Sequence, residues 1–376
     1  MKAYSYLTII GLLSACLLSC KKDSKPKTGT TSTTGTTGKT DTIGKVDTVR
    51  NAPPAGVYLV GTIAYNATIW RVGAVPITLS AKNSGAAAFT TQGKDIYTAG
   101  YDFLDGKTIA CYWKNNNIIR LTFGGESSAS ATAIAVQGND VYVTAGLINA
   151  TEYTVAQIAY CYKNGVGTVL PSPANYTYAT GVVVKGNDVY VSGYYINSVT
   201  GEDYYVHACY WKNGVLNILD STENRSTANG IAVTNNSDVY VVGSNLGSPN
   251  FRGKNNTNDP QRAVCWKNGT PATLPTNLGP GSAAAITIKG NDVYIAGTAG
   301  RSSDTTNAVY WKNGSLIVIP DAKNASAIAV SGNDVYVTGG KQVTGTTDVY
   351  PGCWKNGAVI SVQAYSSFYN GVMIIP

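Results

Sequence analysis

The only imidazole in this 376-residue chain is His207, so any Ser-His-Asp or Cys-His relay has to run through it. No Gly-x-Ser-x-Gly elbow accompanies it, and no cysteine stands at a helix start where a thiolate would be favoured. Beyond Cys20 there are five cysteines, Cys111, Cys161, Cys209, Cys265 and Cys353, each followed by an aromatic residue. Their number is odd, they recur about one repeat apart, and none forms a Cys-x-x-Cys pair. They therefore read as buried packing thiols, with no metal and no cofactor expected. Asp95, Asp140, Asp188, Asp238, Asp292 and Asp334 recur in tight turns. No calcium loop of the Asp-x-Asp-x-Asp-Gly kind surrounds any of them, so each is expected to bond its own turn amides. Carboxylates for acid–base work would have to come from Glu152, Glu202, Asp203, Glu223 or Asp259, none of which has a recognisable setting.

What must position these residues is a repeat. The stretch Ala325–Gly340, ASAIAVSGNDVYVTGG, is one copy of a unit that occurs seven times. Its D-V-Y tyrosine falls at Tyr58, Tyr97, Tyr142, Tyr190, Tyr240, Tyr294 and Tyr336. The W-K-N-G aromatic falls at Trp70, Trp113, Tyr162, Trp211, Trp266, Trp311 and Trp354, which accounts for all six tryptophans. The segments are short, β-branched and aromatic, and Asn-Gly marks a two-residue hairpin. Each unit is read as four antiparallel strands: a (AIAV), b (DVYV), c (ending in the aromatic) and d (the apolar residues after K-N-G). Seven such units predict an all-β, seven-bladed β-propeller with four-stranded antiparallel blades. The first copy begins at strand b, with Val57–Gly61, and the chain ends in a spare strand a, Tyr369–Ile375. The C-terminal strand is thus predicted to close the ring by completing the first blade and removing the open edges.

With 41 glycines, 26 tyrosines and 13% charged residues, the composition agrees with short strands and tight turns. The formal charge of +7 is spread over the N-terminal lysines and one lysine per repeat: Lys114, Lys163, Lys212, Lys267, Lys312 and Lys355. These read as solvated gatekeepers, and no nucleic-acid partner is expected.

The chain opens with Met1-Lys2 and an apolar run from Leu7 to Leu18, the pattern of a secretory signal too short to span a bilayer. Leu17-Leu18-Ser19-Cys20 resembles a bacterial lipobox. The resemblance implies a signal peptide over 1–19, lipidation of Cys20 and a membrane anchor, with Lys21 after the cysteine implying the outer membrane. Residues 20–55, rich in Thr, Gly, Ser and Lys, bury too little to order themselves and read as a tether. Asp41-Thr42-Ile43 and Asp47-Thr48-Val49 resemble short bacterial O-glycosylation signals. The propeller is expected over 56–376.

From Val57 to Pro376 the tandem pattern resembles the HAF-repeat type of extracellular bacterial protein, in which W-x-N-G alternates with A-x-A-I-x-x-x-G-x-V-x-G. The chain departs from that type in its D-V-Y step and in carrying Ala208-Cys209-Tyr210 where the type has His-Ala-Phe. The resemblance implies a surface or secreted location.

The copies differ in length mainly between strands b and c. From each aromatic to the next D-V-Y tyrosine the spacing is 25 to 29 residues, whereas from tyrosine to aromatic it runs from 12 to 26. In a four-stranded meander the b–c loops share one face with the d–a crossings, and binding residues concentrate on loops held by a rigid scaffold. The candidate ligand-binding residues on that face are Tyr194, Tyr195, Tyr204, Tyr205, His207, Phe251, Arg252 and Asp259. Tyr101, Phe103, Tyr153, Tyr176 and Tyr178 are placed in comparable loops. Exposed aromatics beside Asn, Asp and Arg suit sugar stacking or a protein hot spot. The sequence therefore favours a non-catalytic, lipid-anchored binding module at the outer membrane or cell surface, with a glycan or protein partner. The alternative is an extracellular propeller hydrolase or lyase acting on polysaccharide or peptide.

Overall fold

The strands are local products of composition. Asp334–Gln342 is β-branched and aromatic at its core. The hairpin after strand c of the same repeat turns on Asn356 and Gly357, both at positive φ (50° and 83°), with Lys355 facing Ala358 across it. That is the two-residue geometry whose twist matches the flanking strands.

The computed structural model describes residues 52–376 apart from 123–127, 151–154, 199–203, 222–224, 247–260, 301–305, 344–345, 347 and 363–366. Cys20 and the residues before 52, where a signal peptide and most of a tether are expected, lie outside the described residues. Among the described residues the strands number 28 and fall into seven four-stranded blades. Blade 1 is Ser367–Ile375, Gly56–Ile63, Asn66–Arg71 and Ile77–Ser80 from a to d. The C-terminal strand pairs antiparallel with Gly56–Ile63, Val372 opposite Leu59, so the ring closes as the chain ends predict. Blade 4 is Tyr176–Lys185, Asp188–Ser198, Tyr204–Lys212 and Val215–Ile218, and blade 5 is Ser226–Val233, Val239–Leu246, Gln261–Lys267 and Thr270–Thr273. Blades 3 and 4 also touch through one parallel bridge, Gln157 to Tyr176.

The hydrophobic core lies between blades rather than within them. Seven buried clusters each join one blade to the next, from Val60 and Ala67 with Ala86 and Trp113 round to Tyr336 and Cys353 with Leu59 and Trp70. The repeated aromatic is the main wedge: Trp113, Trp211, Trp266, Trp311 and Trp354 are all fully buried, and burying such a side chain is worth roughly 1.5–3 kcal/mol. Two of them also reach back to the preceding blade, Trp211 Nε1 donating to the Pro171 carbonyl and Trp311 Nε1 to the Pro275 carbonyl, each at 2.8 Å.

Two devices recur within the repeat, and the first differs from its sequence reading. The first is a staple at the turns, present in blades 2 to 7. In blade 5, Asn268 Oδ1 accepts from the Val239 amide at 2.8 Å, and Asn268 Nδ2 donates to Asp238 at 2.8 Å. Lys267 Nζ lies 2.9 Å from the same carboxylate and 5.3 Å from the Tyr240 ring centroid. The aspartates therefore bond the side chains of the neighbouring turn rather than their own amides. The lysines are paired and lie over a tyrosine face rather than standing free as gatekeepers.

The second device is a β-bulge in strand a of every blade, at Asn370, Ala87, Thr132, Thr180, Asn229, Ala284 and Ser326. Four bulge side chains donate to the carbonyl just before the next blade's bulge: Asn370 to Ala86, Thr180 to Ala228, Asn229 to Ala283 and Ser326 to Tyr369, at 2.8–2.9 Å. Strand b pays for this kink with a glycine. A Cβ on Gly243 or Gly339 would fall inside the carbonyl oxygen of Thr227 or Asn324, which explains the glycine three residues after the D-V-Y tyrosine. Blade 3 alone has alanine there, Ala145.

Candidate functional site

The a–b and c–d turns are occupied by staples, so chemistry is sought on the opposite face. There strands b and c of blade 4 are long, 11 and 9 residues, because alternating Tyr, Val and Ile residues extend the ladder into what the sequence presents as loop. Tyr194 and Tyr195 therefore lie in strand b and Tyr204, Tyr205 and His207 in strand c. Tyr101 and Phe103 likewise belong to strand Asp95–Leu104, and Tyr176 and Tyr178 to strand Tyr176–Lys185. Phe251, Arg252, Asp259, Tyr153 and the carboxylates Glu152, Glu202, Asp203 and Glu223 lie outside the described residues.

Strand pairing sets Tyr195 opposite His207 and Asn197 opposite Tyr205. Tyr195 is 3% exposed and its ring lies 4.9 Å from the imidazole; Tyr205 is half-buried with its ring 6.4 Å away. Burial holds the Tyr195 hydroxyl above its ordinary pKa, and the neighbouring Cys209 adds to the shift. Tyr194 points to the other side and stacks on Tyr178 at 4.7 Å and 16°. Burial, then Tyr178, pushes its pKa up as well.

His207 is 7% exposed, and its Nδ1 lies 3.1 Å from the backbone carbonyl of Asp220. A carbonyl only accepts, so Nδ1 carries a proton, and the tautomer that keeps this bond has its lone pair on Nε2. Asp220 sits in the crossing from blade 4 to blade 5 and is 9% exposed, its carboxylate accepting from Asn245 Nδ2 at 2.8 Å. Next to this crossing, Ser226 accepts from the Ala208 amide at 2.9 Å, and Arg225 bridges to Val206. The fold thus gathers an imidazole with a defined tautomer, an amide-held carboxylate and two tyrosines at the seam of blades 4 and 5. Asp220, Asn245 and Arg225 were not singled out by sequence reasoning. Asp220 carries one signal in the copies: it stands after strand d where other blades have Pro171, Pro275 and Pro320.

A second buried carboxylate lies on the same half of blade 2. Asp102 is 5% exposed and accepts from Arg120 through Nη2 at 2.6 Å and Nε at 3.1 Å. Among the described residues no three of His, Cys, Asp and Glu gather closely enough to hold a metal ion. The five described cysteines are free thiols and four of them are buried. Burial pushes Cys161 and Cys265 up to about 11 and Cys353 to about 12, which suits packing and not nucleophilic attack.

The chain matches no protein-family model and no curated protein. Among solved structures it is similar to the Pyrococcus horikoshii acylaminoacyl peptidase, with 10% identity, a TM-score of 0.47 and coverage of 81% of this chain and 50% of that one. It is also similar to a mutant Trypanosoma rangeli sialidase displaying trans-sialidase activity (9% identity, TM-score 0.42, 81% and 57% covered). A third is a GH43 β-xylosidase/α-arabinofuranosidase from a compost microbial metagenome (9% identity, TM-score 0.34, 61% and 93% covered). The chain spans about half the length of the peptidase and the sialidase.

The aromatics expected to form an exposed platform are instead packed into the blade: Tyr195 is 3% exposed and Tyr194 stacks on Tyr178. The expectation of a non-catalytic module that binds a glycan or protein through exposed loop aromatics is corrected accordingly. The expectation that the chain is more likely not an enzyme, which rested on the same exposed aromatics, loses that support.

Proposed function

We propose that this chain is a propeller hydrolase or lyase that cleaves a polysaccharide or peptide, with His207 as the base. The observation that carries the reading is the Nδ1 contact to the Asp220 carbonyl. It fixes the tautomer whose Nε2 accepts a proton, the usual requirement for a histidine base. In hydrolysis, Nε2 takes a proton from water as the water oxygen attacks the anomeric or acyl carbon, and the leaving group departs with the bonding electron pair and takes up a proton from solvent. In elimination, Nε2 takes a proton from carbon and the leaving oxygen departs with its electron pair. Asp220 and Asn245 act as positioning residues that hold the crossing against the imidazole. Tyr205 supplies an aromatic face beside it, the kind of surface on which a sugar ring stacks.

The lipobox-like Leu17–Cys20 supports an anchor at Cys20 that holds the propeller outside the cytoplasm by a tether, at the outer membrane or cell surface. The HAF-like repeats support the same placement. A substrate too large to enter a cell suits such an enzyme.

The test is a panel of neutral and uronate-containing polysaccharides and of peptides, read by new reducing ends, new amino termini and the near-ultraviolet absorbance of an unsaturated product. The substrate cleaved by wild type should be cleaved roughly 100-fold more slowly or worse by His207→Asn, with the thermal melting of the variant unchanged. Full activity in His207→Asn would overturn the assignment of the base.

A further inference from the structure

The staple is complete in blades 2 to 7 and missing from blade 1. At its three polar positions blade 1 carries Gly56, Arg71 and Val72, where blade 5, for example, carries Asp238, Lys267 and Asn268. The aromatic part of the staple remains. Tyr58, lacking an aspartate two residues before it, donates to the Pro54 carbonyl at 2.9 Å. Its counterparts Tyr142, Tyr190 and Tyr294 donate to the staple aspartate at 3.2–3.4 Å. The cation also remains. Arg71 makes one long contact from Nη1 to the Ala55 carbonyl, at 3.3 Å. Among the described residues it forms no ion pair, whereas each of the six sister lysines lies 2.7–3.2 Å from an aspartate oxygen.

Beside Arg71 the structure has a cavity of about 250 Å³. Trp70, Arg71, Val75, Ile77, Ile96 and Asn116 line it. Its rim is apolar and open to solvent: Val75 is 83% exposed and Ile77 47%. An arginine fork accepts a carboxylate in two parallel hydrogen bonds, better than the lysine that it replaces.

We propose that this notch binds a small carboxylic acid with an apolar body. Its carboxylate would pair with Arg71, the counterpart of the lysine that faces an aspartate in each of the other six blades, and its hydrocarbon part would cover Trp70, Val75 and Ile77. The six sister blades define the chemistry of the missing group, and the apolar lining defines what it is attached to. The site lies on the face opposite His207 and is independent of the cleavage reaction.

The test uses the full chain, hexanoate as the probe and hexanamide as its uncharged counterpart, with binding followed by ligand-observed NMR titration. Hexanoate should bind at least about tenfold more tightly than hexanamide, as expected for a charge-assisted pair on a half-buried arginine. Arg71→Gln should lose about that factor, and Lys114→Gln, which removes a stapled cation in blade 2, should lose none. Val75→Asp changes an exposed side chain, which safeguards folding, and places a competing carboxylate at the rim; it should weaken hexanoate by a similar factor. Equal binding of the acid and the amide, unchanged binding in Arg71→Gln and Val75→Asp, or loss of binding in Lys114→Gln would each overturn the proposal.

Discussion

Replacing Asn268 separates the forces in the staple, because one residue serves three of them. Its backbone sits at φ 51°, its Oδ1 caps the Val239 amide, and its Nδ2 meets Asp238. Asn268→Ala removes both bonds and places an ordinary residue in the left-handed region. The backbone term costs about 1 kcal/mol, and the partly buried bond to Val239, itself 8% exposed, contributes about 1 kcal/mol. The bond to Asp238 is exposed and adds little. The loss expected is therefore about 2 kcal/mol.

Asn268→Gly keeps the backbone conformation and should lose only about 1 kcal/mol. Asn268→Asp keeps the acceptor for Val239 but sets a second carboxylate against Asp238. It should therefore fall between wild type and alanine near neutral pH and move towards wild type as the pH approaches the carboxylate range. Urea unfolding curves with a common slope give the three differences. Equal losses in the glycine and alanine variants would refute the backbone term. Losses below about 0.5 kcal/mol in all three would refute the staple as a source of stability.

The remaining predictions concern pH and ring closure. Hydrogen bonds from lysine and asparagine hold Asp140, Asp188 and Asp334 below the ordinary value of 3.8, as do those from asparagine and lysine for Asp238 and Asp292. A depressed carboxylate contributes stability that is fully present above 3.8 and is lost as the pH falls through its lower folded value. The partner lysines are raised above 10.5, chiefly by hydrogen bonds to those aspartates and to the staple tyrosines. Their contribution is complete below 10.5 and is lost as the pH rises through the higher folded value. The urea midpoint should therefore be flat between these limits and fall outside both, and a midpoint that rises on acidification below 3.8 would contradict the assignment. Tyr369 of the closing strand is 4% exposed, and its ring lies 4.8 Å from Trp70. Tyr369→Ala should cost about 3–5 kcal/mol, in the range of a buried aromatic truncation. A loss below about 1 kcal/mol would mean that the C-terminal strand does not close the ring.

Much of the architecture was legible from residues alone. The aromatic of each copy marks strand c, Asn-Gly marks the hairpin after it, and the unmatched strands at the two ends reveal the closure. All of these are local or counting signals. The length variation also marked the face on which the proposed base lies. It misled about Tyr194 and Tyr195, because a longer interval between Tyr190 and Trp211 can be absorbed by lengthening two strands as readily as by a loop. His207 was visible as the only histidine. Its partner was not, because Asp220 meets it through a backbone carbonyl, and no residue-type pattern reports a main-chain contact.

The sequence by itself determined that seven like units repeat, that each is a four-stranded sheet, and that the last strand belongs with the first. Periodicity, turn chemistry and strand propensity act within a few residues, and a linear text preserves them. The tertiary structure decided why Gly243 and Gly339 are glycine, which polar groups staple the turns, where the seven cores lie, and that Arg71 stands beside a cavity instead of an aspartate. Each of these depends on a distance between blades or between strands that meet only after folding, and such distances are set by the closing of the whole ring.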